Sequence, residues 1–481
     1  MLSPVISHLV LVLLTLLTHN VASTPSPYKA ASPHDLSHRQ FGSGNHTAGH
    51  WIAAWTSMPQ LTEPANLPPA PFNTSSGLVF EDATIRQTIR VTATSSRIRL
   101  RISNAFGLTP LPITAVTIAK PVPHNSAASP NTTGAGSPVI DTTTLHTLTF
   151  NRGSSPNTTI PNGALALTDA IDLPITAGTD LTVTLYLSTG QTGGAITSHP
   201  GSRTTSWLAQ GAHASAADLS TAPGATSVAH WYFISTLDAW VHDTPPGTSG
   251  TLALVGDSIT DGRGSTTNGN DRWPDALLAR LQQEQPSSSA TDPFLSAIAI
   301  ANQAAGGNRV LADGLGPNAL GRFDRDVLAQ PGVKWVAIFE GVNDIGTAGT
   351  DAGAQAAVGD ALIAAYVQFA LRAHAAGLPI FGATITPFSA PGFNVSAQPY
   401  SSAERERTRQ RVNAWIRESR VFDAVVDFDA AVRDEEDGSI LRIEYDSGDY
   451  LHLNPEGYKA MADAFPVEAL KQFAGGVDEW A

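Results

Sequence analysis

From Trp51 to about Val241, apolar and polar residues trade places at every second position. Ile98, Leu100 and Ile102 alternate with Arg97, Arg99 and Arg101. Leu181, Val183, Leu185 and Leu187 alternate with Thr and Tyr, and Ile85, Ile89 and Val91 sit in a third such run. A strand turns successive side chains to opposite faces, so these runs predict strands with one face on a core. They are short and separated by Pro, Gly, Asn and Ser clusters, which predicts an antiparallel β-sandwich over residues 49–245.

After residues 242–250 the pattern changes. Continuous apolar runs at 252–255, 297–301, 335–339, 380–385 and 424–428 alternate with helical stretches at 273–285, 355–375, 402–420 and 455–473. Strands buried on both faces read as unbroken apolar runs. Their alternation with helices predicts an α/β unit over residues 246–481, a parallel five-stranded sheet with helices on both faces. Ligands in such folds bind at the carboxyl ends of the strands, so chemistry is sought just after each run.

The first residues carry an apolar run, residues 5–17, and then Val21-Ala22-Ser23. This predicts a secretory signal peptide over residues 1–23, and hence a secreted, extracellular protein. Residues 24–48, rich in Ser, Pro, His and Gly, predict a flexible arm. No other segment reads as a membrane span. Sequons begin at Asn45, Asn73, Asn131, Asn157 and Asn394. In a secreted glycoprotein they would mark surface loops.

At 481 residues the chain exceeds one ordinary core, in keeping with two units. It contains no cysteine, so disulfides and thiolate metal sites are excluded and stability rests on packing. The formal charge of −14 argues against nucleic acid or an anionic membrane as partner, and oligomeric state is not set by the sequence.

The first apolar run of the α/β unit leads into Gly256-Asp257-Ser258-Ile259-Thr260-Asp261-Gly262. A Ser between a buried strand and a Gly-rich turn can present its hydroxyl at the sheet's edge, or simply cap a helix. The second run ends in Asn302-Gln-Ala-Ala-Gly306-Gly307-Asn308-Arg309, and the third in Gly341-Val342-Asn343-Asp344. A Gly N–H and an Asn amide can hold an oxyanion, though both residue types also serve turns. Near the C-terminus, Asp449-Tyr450-Leu451-His452 spaces a carboxylate three residues before an imidazole. That spacing allows Asp449 to orient His452 as a general base; Asp446 is a rival carboxylate with poorer spacing.

Taken together these blocks resemble the SGNH/GDSL hydrolase family over residues 250–475. The resemblance implies Ser258 as nucleophile, Gly307 and Asn343 with the Ser258 N–H as oxyanion donors, and Asp449 and His452 completing the triad. Ala304 stands where the family often carries the first Gly of its second block. The stretches 256–274, 306–309 and 323–345 resemble the XynE-like subgroup most. There Asp257, Thr260, Asp261 and Arg309 recur, and the resemblance gives them supporting roles. It implies a serine esterase working through an acyl-enzyme on a small ester or acylated carbohydrate, with short-chain or O-acetyl groups preferred. No metal or organic cofactor is implied, and no H-E-x-x-H pattern occurs.

Two alternatives stay open. One is a lipase or general carboxylesterase for longer chains. The other is a non-catalytic glycan-binding protein in which Trp51, Trp55, Trp207 and Trp231 stack on sugars rather than fill a core. Residues 104–107 and 198–201 are the loops expected at the mouth of the Ser258 site.

Overall fold

The computed structural model describes residues 49–74, 77–123, 133–242, 249–283 and 292–478. The leader, the arm, Asn45, Asn131 and most of the 242–250 connection lie outside the described residues.

Residues 49–242 form two larger antiparallel sheets. In the first, Gly49–Thr56, Ile234–His242, Ser95–Ser103 and Leu165–Leu167 pair in that order, and Ile171–Ile175 also pairs with Ser95–Ser103. The second runs Thr226–Val228, Ser206–Gln210, Ala83–Arg90, Asp180–Leu187, Ala115–Pro121 and Ile140–Leu148. Ile98, Leu100 and Ile102 of one sheet share a core with Ile85, Ile89, Val183 and Leu185 of the other. The period-two pattern therefore has its expected cause, two inner faces closed on each other.

The outer face of the second sheet departs from that pattern, because Thr182 and Thr184 are buried too. Arg86 explains the departure. Its guanidinium is sealed beneath two loops and donates to Thr184 Oγ1 (3.1 Å), Pro138 O (2.5 Å) and Ala216 O (2.7 Å). A buried cation needs its donors filled, and the carbonyls of the covering loops fill them. Trp55 and Trp231 are buried edge to face, 5.0 Å apart, and so serve the core rather than a sugar.

The second unit is a parallel sheet in the order Ile298–Ala304, Gly250–Gly256, Val333–Phe339, Ile380–Ala383, Ala424–Val426. The first strand in sequence lies second in space, so the connections on its two sides run in opposite directions. A crevice opens there, at the carboxyl end of Gly250–Gly256. Trp273–Gln282 packs with Pro455–Ala464, and Ala352–Ala375 packs with Ala403–Glu418, covering the two faces of the sheet. Ala352–Ala375 is long and apolar enough to cross a membrane, which corrects the expectation that nothing beyond the leader is. Its Leu362, Tyr366 and Phe369 are spent on the core of this sheet. The helix expected over 455–473 is two, Pro455–Ala464 and Val467–Gln472. Pro466 has no N–H to continue the first and disfavours helix at Phe465.

The edge strand Ile298–Ala304 is covered by the β-rich region. Thr92 Oγ1 donates to Ile300 O (3.0 Å) and Thr56 Oγ1 to Asn302 O (2.9 Å). Thr251 Oγ1 reaches Ala53 O (3.1 Å), and Ala53 N reaches Pro331 O (2.9 Å). Hydroxyls thus satisfy carbonyls that an exposed edge would offer to another chain.

Candidate active site

Gly256 closes its strand where a side chain would collide with Thr260; a Cβ there would lie 2.4 Å from Thr260 Oγ1. Asp257 Oδ1 then accepts the Ile259 N–H (2.9 Å) and caps the single turn Ser258–Asp261, which Gly262 ends at φ 98°. Asn302 Nδ2 donates to Thr260 O (3.0 Å), tying this turn to the second strand. Ser258 is held at the head of the turn, facing a cleft of about 870 Å³.

Ser258 Oγ lies 2.7 Å from His452 Nε2, and His452 Nδ1 lies 2.7 Å from Asp449 Oδ2. The other Asp449 oxygen accepts the N–H groups of His452 (2.8 Å) and Leu451 (3.1 Å). Tyr450 takes a left-handed φ of 58° to make this tight turn. Asp446 accepts the Tyr450 N–H (3.0 Å), so the rival carboxylate shapes the turn from behind while Asp449 meets the ring. Burial pushes the Asp449 carboxyl up, but its bonds to His452 and the imidazole's charge outweigh this and hold it at about 2. Asp449 is therefore a carboxylate at any working pH.

Gly307 and Asn343 line the same cleft. Gly307 has φ 72°, a conformation that favours glycine, and a Cβ there would also displace the end of the Leu315 side chain, 2.4 Å away. Asn343 Nδ2 donates to Asn308 O (2.9 Å), and Tyr400 Oη donates to Asn343 Oδ1 (3.1 Å). The amide is thereby fixed in one orientation, with its remaining Nδ2 hydrogen available to a substrate oxygen. A nucleophile, a base with its carboxylate and two oxyanion donors around one cleft can perform acyl transfer to and from a serine.

The supporting residues divide. Asp257 caps the turn that Ser258 begins; burial, with the charges of Asp344 and Asp261, pushes its carboxyl up to about 7. Asp261 accepts the Gly306 N–H through Oδ2 (3.1 Å). Thr260 accepts from Trp273 Nε1 (3.1 Å). Arg309 does not line the cleft; its guanidinium donates to Asp313 O and closes its own loop. Of the two expected mouth loops, Pro200 and Gly201 line the cleft. Residues 104–107 do not, which corrects that expectation: Phe106 is held by Thr197 Oγ1 (2.9 Å) and lies under Arg325.

Several residues escaped the sequence reading. Asp344, next to Asn343, accepts the N–H groups of Val310 and Leu311, each at 2.9 Å, and so anchors the loop after Gly307. Gln60, Glu63, Asn66, Arg203 and His230 of the β-rich region form part of the cleft wall. Gln60 Nε2 and Asn66 Nδ2 converge on the Glu63 carboxylate at 2.5 and 3.0 Å. Adjacency to Asn343 was the only signal for Asp344, and the wall residues had none. Asn157 and Asn394 are exposed and Asn73 is half-buried.

Comparison with known proteins places this geometry beside others. Residues 252–465 match the model of a family described as GDSL-like Lipase/Acylhydrolase. Among solved structures, a carbohydrate acetylesterase from Sinorhizobium meliloti is 16% identical, with a TM-score of 0.34, over 46% of this chain and 100% of that one. A GDSL-like lipase from Bacteroides thetaiotaomicron is also 16% identical, with a TM-score of 0.33, over 48% of this chain and 92% of that one. A search of curated proteins finds no match.

Proposed function

From the match of residues 252–465 to the GDSL-like lipase/acylhydrolase model, we propose that the chain belongs to that family and is a secreted serine esterase that removes short acyl groups, acetate above all, from a carbohydrate or similar polar alcohol. Ser258 attacks the ester carbonyl while His452 takes its proton and Asp449 holds the ring. The Gly307 and Ser258 N–H groups and the Asn343 amide receive the oxyanion. His452 then protonates the leaving alcohol, and water repeats the sequence on the acyl-enzyme.

One observation carries this reading: the unbroken hydrogen-bond line from Ser258 Oγ through His452 to Asp449, both links 2.7 Å long. The polar wall supports the choice of alcohol, since Gln60, Glu63, Asn66, Arg203 and His230 suit hydroxyl groups better than an acyl tail. The resemblance to the XynE-like subgroup, the leader at residues 1–23 and glycosylation at exposed sequons belong to the same proposal.

The test is turnover of an aryl acetate by the purified protein and by Ser258→Ala, with a fluorophosphonate as a probe of the serine. Wild type is expected to turn over and to label, and S258A to do neither while melting as wild type does. Turnover that survives in S258A would refute the nucleophile. A protein inert to both reagents would leave a binding function instead.

A further inference from the structure

His199 ends the short strand Thr197–His199 of the β-rich region. Its ring is buried and stacks on Trp231, 5.7 Å away at 28°. Nδ1 lies 3.0 Å from Met58 O, and Nε2 lies 2.8 Å from Asp261 Oδ1. A carbonyl oxygen only accepts, so Nδ1 carries a hydrogen. A carboxylate also only accepts, so a second proton lies between Nε2 and Asp261. The pair thus holds an imidazolium against a carboxylate, shut away from water.

Asp261 is the last residue of the turn that Ser258 begins, and its other oxygen accepts the Gly306 N–H. Gly201 closes over the same carboxylate so tightly that a Cβ there would lie 1.7 Å from Asp261 Oδ2. Gly306 precedes Gly307, and both line the cleft. A continuous path therefore runs from the β-rich region, through one carboxylate, to the backbone beside the nucleophile.

We propose that His199 is a positioning residue for ester hydrolysis, acting through Asp261 to hold the turn at residues 305–308 and so the Gly307 N–H beside Ser258. The β-rich region is then part of the catalytic apparatus, not an appendage to it. The proposal rests on the esterase reading above and adds to it a residue that touches neither substrate nor nucleophile.

The charged groups around the ring are Asp261, which favours its proton, and Arg272, which opposes it; Arg90 and Asp275 line the same small interior space. Burial lowers the proton affinity of the ring, but the charge and hydrogen bond of Asp261, with the Met58 carbonyl, raise it by more. The imidazolium is accordingly favoured relative to a free histidine and is lost as pH rises through its elevated pKa.

The experiment uses the full chain, an aryl acetate and the variants H199L, H199Q and D261N across a range of pH. H199L is expected to lose about 10- to 100-fold in kcat, as a displaced catalytic group would, with KM within about threefold. H199Q, which keeps a donor for Asp261, is expected to recover part of that loss. In D261N the amide can still accept from Gly306 and can donate to a neutral ring. It is expected to lose less kcat than H199L and to lack the alkaline fall expected of wild type.

Wild-type kcat in a folded H199L, or an alkaline fall unchanged in D261N, would overturn the proposal. If H199L fails to fold, the partial loss in H199Q and the pH profile of D261N decide. A wild-type protein inert to both ester and fluorophosphonate fails before any variant is compared, and overturns the esterase reading together with this one.

Discussion

The guanidinium of Arg322 grips the side-chain oxygen of Asn308 with two donors, Nε at 3.1 Å and Nη2 at 2.9 Å. Asn308 in turn offers its carbonyl oxygen to Asn343 Nδ2, so the Asn343 amide is held from below by a fully buried cation. Arg322 also reaches Gln303 O (2.5 Å), Asp326 Oδ2 (3.2 Å) and Glu340 Oε1 (3.3 Å). Its donors bind together the carboxyl ends of neighbouring strands beneath the site.

Removing that cation strands buried carboxylates. Arg322→Met is expected to cost about 3–5 kcal/mol of stability at alkaline pH, where those carboxylates are charged, the usual result of leaving half of a buried ion pair. Burial already pushes the Glu340 and Asp257 carboxyls up. Without Arg322 they rise further, so the penalty is present above their folded pKa values and shrinks as pH falls and they take up protons. Urea midpoints of wild type and R322M at several pH values check this. A penalty that does not change with pH would show that lost packing, not stranded charge, is the cause.

Asn343→Ala removes the proposed oxyanion donor and is expected to lower kcat by about 10²–10³ with a smaller change in KM. Tyr400→Phe leaves the amide in place but frees its oxygen from the Tyr400 hydroxyl. The loss of that one hydrogen bond is expected to cost about three- to tenfold in kcat. Steady-state kinetics of both variants on one ester decide the matter. An effect of N343A confined to KM would make Asn343 a binding residue.

How much of this was legible in the sequence depends on the kind of signal each residue leaves. The five parallel strands were readable because burial on both faces leaves unbroken apolar runs, and the positions of Ser258, Gly307 and Asn343 followed from where those runs end. Asp449 was separable from Asp446 because three residues bring a carboxylate under the imidazole. His199 and Arg322 left no such trace. Asp261 is 62 residues from His199 in sequence, and one His or Arg among many has no spacing to mark it. The break at Pro466 was visible as a residue, but apolar periodicity continues through Phe465 and Leu470 and masked it. Thr182 and Thr184 looked like a solvent face because nothing local announces that loops around Pro138 and Ala216 fold over them.

Asp449 links catalysis to acid stability. Its carboxyl is held at about 2 against an ordinary value of 3.8, so its contribution to the folded state is complete above the ordinary value and is lost as pH falls towards 2. Asp449→Asn is expected to lower kcat strongly at all pH values, because the His452 ring loses the carboxylate that orients it and stabilises its charged form. The same variant is expected to be less stable than wild type at pH 6 and to match it increasingly as pH is lowered from about 4 to about 2. Thermal melts of both proteins through that window check the second claim. A stability gap unchanged at the acid end would mean that the Asp449 carboxylate is not what stabilises the turn.

The proposed acyl preference rests on what surrounds Ser258. A long acyl tail needs apolar wall to leave water, roughly 0.8 kcal/mol for each buried CH₂. In the cleft that wall is made by Leu315, Leu451, Ala229, Ala397 and the two prolines Pro200 and Pro399, which stand among Gln60, Glu63, Asn66, Arg203, His230, Arg263, Gln398 and Tyr400. Glu63 holds two amide donors and adds a carboxylate to the wall, and Arg203, whose guanidinium donates to Ser265, and Arg263 add the opposite charge. Such a wall offers partners to a polyhydroxy alcohol, and its apolar side chains are mostly small, which suits a short acyl group. kcat/KM measured on acetyl, butyryl, octanoyl and palmitoyl esters of one alcohol is therefore expected to fall with chain length, and acetate is expected to be released from acetylated xylan. Replacing Glu63 by Gln is expected to weaken action on the polymer more than on an aryl acetate, which lacks the hydroxyls that Glu63 would meet. A preference for octanoyl or longer chains, with no acetate from the polymer, would instead make this cleft a lipase site, its polar wall facing the glycerol end of the substrate.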